Sequence, residues 1–288
     1  EHPEYQIMHS HIDSMSYLPL LAAKRANVPV RIAHSHNTSI DRDLKYPLKQ
    51  LFRTRITKVA NEYCACGEEA GKFLFGNRDF KVIPNAIKNA FADKLFMSYE
   101  EVKGRSKRKK KQIIYSGAIW PEWFEMDIIE YLVEKFPEYE FLMLGPYLPC
   151  KDEDDGRNIA EIIKNLEHNY NIKFLGQVPH EELVSYLRQA NLAIVPFVVN
   201  EVTKACSPLK CFEYLGAFLP VVSTNLPEIK NYPMIEFACS KEEFANKVEK
   251  MIDHKITENE YKMMRNFTEE NTWKARSQEI NNIIIDKN

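Results

Sequence analysis

The segment Ser207-Pro208-Leu209-Lys210-Cys211-Phe212-Glu213 gathers the most chemically informative residues of the chain. Ser207 suits a helix N-cap and Pro208 the first helical position, so a helix is expected to begin there. Its start would aim unpaired backbone N–H groups and the positive end of the helix dipole outward, an arrangement suited to an anionic diphosphate. Lys210, in the first turn, would add a full positive charge. Glu213, about one turn further, could accept hydrogen bonds from the paired hydroxyls of a ribose. Taken alone, Lys210 and Glu213 also fit a solvated helix surface.

A second pattern is a local repeat. Met8-His9-Ser10-His11 and Ala33-His34-Ser35-His36 each end a short apolar run, with one helical stretch between them. Two neighbouring parallel strands would then carry histidines at their C-terminal ends, where open α/β sheets form ligand crevices. Alternate residues of a strand share a face, so each His-x-His pair could chelate a metal, with Asp13 or Asp41 as the carboxylates within reach. Each histidine fits a local bond to backbone equally well.

The elements that must position these residues are legible from periodicity. Candidate strands are 6–10, 29–34, 63–66 and 81–83, then 112–117, 140–145, 171–175, 192–196, 220–223 and 234–238. Helical periods fill the intervals, among them 18–26, 44–61, 127–136, 159–168, 181–189 and 209–217. Strand followed by helix at this rhythm implies parallel β-α-β units with helices on both faces. The division between two domains is expected between Pro84 and Gln112, where a Pro-Asn turn opens an irregular stretch reaching Glu101. A basic cluster, Arg105 to Lys111, follows and reads as a solvated interdomain linker; contact with anionic lipid is the other use for it. Residues 272–288 read as a last helix.

Composition limits the classes. Across 288 residues, 44% are hydrophobic and 28% charged, the balance of a globular protein with room for two cores. A formal net charge of −2 gives no reason to expect nucleic acid as a partner. No apolar run is long enough to span a bilayer. The six cysteines (Cys64, Cys66, Cys150, Cys206, Cys211, Cys239) are scattered, which fits reduced thiols better than a zinc site or disulfides. The start at Glu1, with polar residues to Tyr5, has no secretory pattern and reads as a trimmed chain.

Ser207 to Leu215, with Leu219-Pro220-Val221-Val222-Ser223-Thr224 behind it, resembles the donor-binding segment of the family 4 glycosyltransferases, P-x-K-x-x-E-Y-L-A-x-G-x-P-V-V. Tyr115-Ser116-Gly117, Phe141 to Pro146, Ile172 to Gly176 with Val178-Pro179, and Asn271-Thr272-Trp273 with Arg276 are similar to further segments of that donor domain. Arg31 to Thr38, Ala65 to Gly71 and Val82 to Ile87 resemble the acceptor domain of capsule and exopolysaccharide glycosyltransferases.

The resemblance implies an α/β protein with two Rossmann-like domains of GT-B type. Residues 1–104 would be a partial acceptor-side domain, 105–271 the donor domain, and 272–288 a helix returning toward the first. It implies transfer of a sugar from a UDP- or GDP-linked donor to a glycan or lipid-linked acceptor, with retention and without metal or other cofactor. Capsule or other surface polysaccharide is the implied product, made in the cytoplasm or at the inner membrane face, with peripheral membrane contact. Gly117, Ser207, Pro208, Leu209, Lys210 and Glu213 fall at donor-binding positions. His36 lies near the family's active-site histidine; His34 or His11 takes that place if the strand ends shift.

Three departures stand out. The stretch Gly117 to Glu125 lacks the Arg and Lys by which many members grip the diphosphate, which leaves Lys210, the helix start and Lys204. Ala205 stands where the first of two glutamates is usual, and Glu201 is out of register; Trp123 and Asp127 instead match the spacing of a teichuronic-acid or capsular branch. The part before the division is short for a whole acceptor domain, as if its opening β-α-β units were missing. The rival readings are a GT-B sugar-nucleotide epimerase, a non-catalytic nucleotide-sugar-binding remnant, and a metal-dependent hydrolase built on His9, His11, His34 and His36.

Overall fold

The computed structural model describes residues 4–40, 42–108, 110–147 and 158–285, the last two by their backbone. Asp41 and Cys150 lie outside them. The chain divides into two compact units: unit 1 comprises residues 1–85, 204–207 and 276–288, and unit 2 comprises 86–203 and 208–275.

Unit 1 is built on a parallel four-stranded sheet of order β1-β2-β3-β4, from β1 (Ile7–Ser10), β2 (Val30–Ser35), β3 (Glu62–Ala65) and β4 (Lys81–Val82). Alternation along β2 sorts its two faces. Ala33 packs with Leu20, Ile56, Val59, Leu74 and Phe75 beneath the helices. Val30 and Ile32 face the other way, with Cys64, Ile83 and Ile283 of the last helix, Trp273–Ile285. Arg276, 6% exposed, fixes that helix by donating from Nε to the Pro84 carbonyl at 3.1 Å.

Unit 2 holds a six-stranded parallel sheet of order β10-β9-β8-β5-β6-β7. Its strands are β5 (Gln112–Ser116), β6 (Glu140–Leu144), β7 (Ile172–Gly176), β8 (Leu192–Val195), β9 (Val221–Thr224) and β10 (Ile235–Ala238). β6, β8 and β9 are buried along their whole length, as expected of a sheet covered on both faces. The order is that of a doubly wound fold whose direction reverses between β5 and β8, which makes the ends of those two strands its crevice.

All ten expected strands are present, with ends within one residue of those read from sequence. The stretch after Asn85 differs: it is not irregular but forms helices Asn89–Leu95 and Tyr99–Arg105, the second opened by a capping box of Ser98 and Glu101. Phe91, Leu95, Met97 and Val102 belong to the unit 2 core, so residues 86–104 fold with unit 2 rather than with the first domain. The described residues of the basic cluster, 105–108 and 110–111, group with unit 2 rather than forming a linker, and several of them have partners. Arg105 is 4% exposed and donates to the carbonyls of Ala217 and Phe218 at 2.8 and 3.0 Å. Arg108 donates to the Gln189 carbonyl, Lys110 pairs with Glu140, and Lys111 pairs with Asp253. No helix among the described residues is long and apolar enough to cross a membrane.

Candidate functional site

In unit 2 the segment singled out from sequence forms the helix Leu209–Gly216, buried from Cys211 onward. Pro208, with extended backbone, is the residue that caps it, one place later than expected, and no side chain caps the start. Ser207 is therefore not the N-cap. It groups with unit 1, where its carbonyl accepts from Asn85 Nδ2 at 2.8 Å and its buried hydroxyl meets no partner. Lys204 likewise groups with unit 1.

Lys210 reaches back to the switch point between β5 and β8. Its Nζ donates to the Tyr115 hydroxyl at 3.0 Å and lies 4.3 Å from the ring centroids of both Tyr115 and Phe197, at the ends of those two strands. Two aromatic faces and a hydroxyl oxygen thus seat the ammonium at the crevice. Tyr115 in turn donates to the Ala118 carbonyl at 2.8 Å, which ties the lysine's seat to the turn after β5. Gly117 makes that turn at φ +143°, and a β-carbon there would stand 2.7 Å from Lys210 Nζ. Gly145 makes the corresponding turn after β6 at φ +145°, and a β-carbon there would fall 1.9 Å from the Gly117 carbonyl oxygen. Both positions need glycine for conformation and for room.

Glu213 sits one helical turn from Lys210 and is 9% exposed. Its Oε1 lies 3.3 Å from Nε2 of His180, whose ring stacks on Phe91 at 3.8 Å between centroids. Burial pushes the Glu213 carboxyl above its ordinary value, opposed by the His180 bond and by the charges of His180 and Lys210. Tyr214, fully buried, accepts from the Ser116 amide at 2.7 Å and so joins the helix to the end of β5. Trp123 donates from Nε1 to the Ala118 carbonyl at 3.2 Å, on the turn that Tyr115 also holds. Leu209 is exposed at the helix start. Thus Gly117, Pro208, Leu209, Lys210 and Glu213 come together in one unit, while Ser207 and Lys204 group with the other.

His180 and Tyr115 escaped the sequence reading as partners. From the sequence Tyr115 reads only as part of a strand end. His180 follows the Val178-Pro179 pair and opens the helix His180–Gln189, and that placement was the available signal.

In unit 1 the parallel register sets Ile7 beside Val30 and Ser10 beside Ala33; continued by one residue, it sets His11 beside His34. All four histidines therefore share one face. His9 Nε2 lies 3.2 Å from His34 Nδ1, and His11 Nδ1 lies 2.9 Å from His36 Nε2. Burial, then the neighbouring imidazoles, lower His9 to about 4 and His34 to about 3. Burial also lowers His11 and His36, opposed by Asp13. Burial thus favours the uncharged form of each ring. Asp13 is engaged elsewhere: its Oδ1 accepts from the His36 amide at 2.7 Å and its Oδ2 from Asn37 Nδ2 at 2.6 Å. It holds the chain after β2 in place, which removes it as the carboxylate partner of a histidine-bound metal.

The chain is 27% identical over 242 residues to EpsF of Bacillus subtilis (strain 168), named as a glycosyltransferase, which covers 79% of this chain and 60% of EpsF. It is 29% identical over 163 residues to TuaH of the same organism, named for teichuronic acid biosynthesis, covering 56% of this chain and 38% of TuaH. The chain thus spans less than two thirds of either relative. Among solved structures it is similar to Anabaena HepE, at a TM-score of 0.76 and 14% identity over 99% of this chain and 80% of that one. It is also similar to sucrose-phosphate synthase from Thermosynechococcus elongatus, at 0.66 and 15% over 98% and 74%. Both likenesses concern the fold, which is α/β of the GT-B glycosyltransferase type. Residues 110–254, the part that carries β5 to β10, Lys210 and Glu213, match the family described as Glycosyl transferases group 1. The chain belongs to the group 1 glycosyl transferases.

Proposed function

We propose that the chain binds a nucleotide-sugar donor in unit 2 and serves a glycosyltransferase that extends a glycan or lipid-linked acceptor in surface polysaccharide synthesis. The observation that carries this reading is Lys210, an ammonium held between Tyr115 and Phe197 at the switch point, with a buried carboxylate one turn along the same helix. The lysine and the amides at the helix start meet the diphosphate and stabilise its charge as it departs, without a metal ion at that point. Glu213 accepts from the ribose hydroxyls once His180 yields its oxygen. The HepE structures named as complexes with UDP and with UDP-glucose support a uridine diphosphate donor, and the names of EpsF and TuaH support the polysaccharide setting. Transfer is taken to retain anomeric configuration, with His36, or His34 or His11 in its place, bonding a sugar hydroxyl.

Calorimetric titration with UDP, GDP and UDP-glucose tests the donor site. Binding by the wild type is expected, with a loss of roughly tenfold or more in Glu213→Ala, equivalent to about 1.4 kcal/mol. Silence toward all three nucleotides, or wild-type affinity in that variant, removes the reading. Release of UDP that depends on added acceptor separates a transferase from an epimerase or a binding remnant.

A further inference from the structure

The histidine face of unit 1 supports more than a contact to sugar. His9, His11 and His34 each turn a ring nitrogen into one small volume, these atoms lying within 4.8 Å of one another. The 3.2 Å between His9 Nε2 and His34 Nδ1 is close to the edge, roughly 3.3 Å, of a tetrahedral ion with metal–nitrogen bonds of about 2.0–2.1 Å. The strands fix these positions: both pairs sit at adjacent parallel strand ends, and Asp13 pins the backbone at His36. A set held by a sheet needs only small side-chain rotations to close on an ion.

His34 is 4% exposed, so the packing around it holds its ring in place. His11 is exposed, which gives an ion a path from solvent and leaves room for water in its shell. With His11 binding through Nε2, its Nδ1–H donates to His36 Nε2 at 2.9 Å, the kind of outer partner that fixes a ligand's tautomer. Because Asp13 is committed to backbone and Asn37, the donors are nitrogen alone. Such a set selects zinc, cobalt, nickel or copper rather than magnesium or calcium.

We propose that His9, His11 and His34 bind one transition-metal ion of the zinc class, with His36 as the outer partner of His11 and water completing the shell. This reaches beyond the donor reading, in which Lys210 meets the diphosphate and no ion is required.

The test uses the whole chain, stripped with chelator and titrated with ZnCl2 by calorimetry at pH 7.5, with CoCl2 as a spectroscopic probe. One equivalent of zinc should bind, and cobalt should give the visible bands of a low-coordinate nitrogen site. His11→Gln, an exposed position with little bearing on folding, and His9→Gln should each weaken zinc roughly a hundredfold, and His36→Gln roughly tenfold. UDP affinity should stay unchanged in His9→Gln. No stoichiometric zinc binding, or equal affinity in the His9→Gln/His11→Gln double variant, overturns the proposal. A chain silent toward zinc that still binds UDP leaves the donor reading standing, and one that binds zinc but not UDP does the reverse.

Discussion

The two sheets meet the same difficulty, polar groups at a largely apolar core, in opposite ways. Unit 1 gathers four imidazoles at the ends of β1 and β2 and disfavours their charged form, with His9 lowered to about 4 and His34 to about 3. Unit 2 buries ionisable groups and gives them partners: Arg105 has two carbonyls, Lys210 two rings and a hydroxyl, Glu213 an imidazole. The comparison teaches that strand ends of one architecture acquire different chemistry from the side chains gathered around them. Neutral rings suit lone-pair donation, and a retained ammonium suits an anion.

Acid should separate the two units most strongly. His9 and His34 are held below their ordinary 6.5, so the unfolded chain takes up protons first, and unit 1 loses stability as pH falls from about 6.5 toward 4. The loss should be on the order of 3 kcal/mol after allowance for partial exposure, read as faster amide exchange in Ile32–Ser35 than in Ile113–Ser116. Glu213 works in the other sense. Its carboxyl is held above the ordinary 4.5, so its contribution to unit 2 is present below that pH and is lost as pH rises through the folded value. Glu213→Gln should remove that slope, and equal pH slopes in the two units would collapse the contrast.

Arg105→Ala should come next, costing unit 2 about 2–3 kcal/mol in chemical denaturation, because two buried carbonyls lose their donor. An unchanged midpoint would mean that the buried charge is not integral to the core. Lys210→Ala should weaken UDP roughly thirtyfold by removing one charge-assisted contact of about 2 kcal/mol, with the thermal transition little moved. If its affinity equals that of the wild type, the ammonium is structural only. Smallest is Tyr115→Phe, which takes one hydroxyl from Lys210 while keeping the ring; a loss of roughly threefold to fivefold in UDP affinity is expected, about 1 kcal/mol at most. A larger loss there than in Lys210→Ala would make the tyrosine, not the lysine, the anion's contact.

The strands were legible because continuous apolar runs such as Leu192 to Val195 have one plausible use between turn signals. Lys210 and Glu213 were legible because both sit on one helix face near its start, a local relation. What escaped is non-local. Nothing near Glu213 in the chain announces His180, and nothing near Lys210 announces Tyr115 and Phe197, since the sheet order brings them together. Ser207 misled because serine is a good cap; extended backbone at Pro208 gave the place to the next residue. Residues 86–104 misled because Pro84-Asn85 signals a break, whereas their helices owe their place to Phe91, Leu95 and Val102 packing into a distant core.

The abutting glycine turns after β5 and β6 have a practical meaning for anyone redesigning this protein. With no room for a β-carbon between Gly145 and the Gly117 carbonyl, the two turns meet there main chain to main chain. A methyl group added at residue 145 would wedge the two turns apart and tilt the ledge from which Tyr115 presents its hydroxyl. Changes to the proposed donor site must therefore be grafted onto surrounding walls, where side chains exist to be exchanged, while the ledge itself stays as it is.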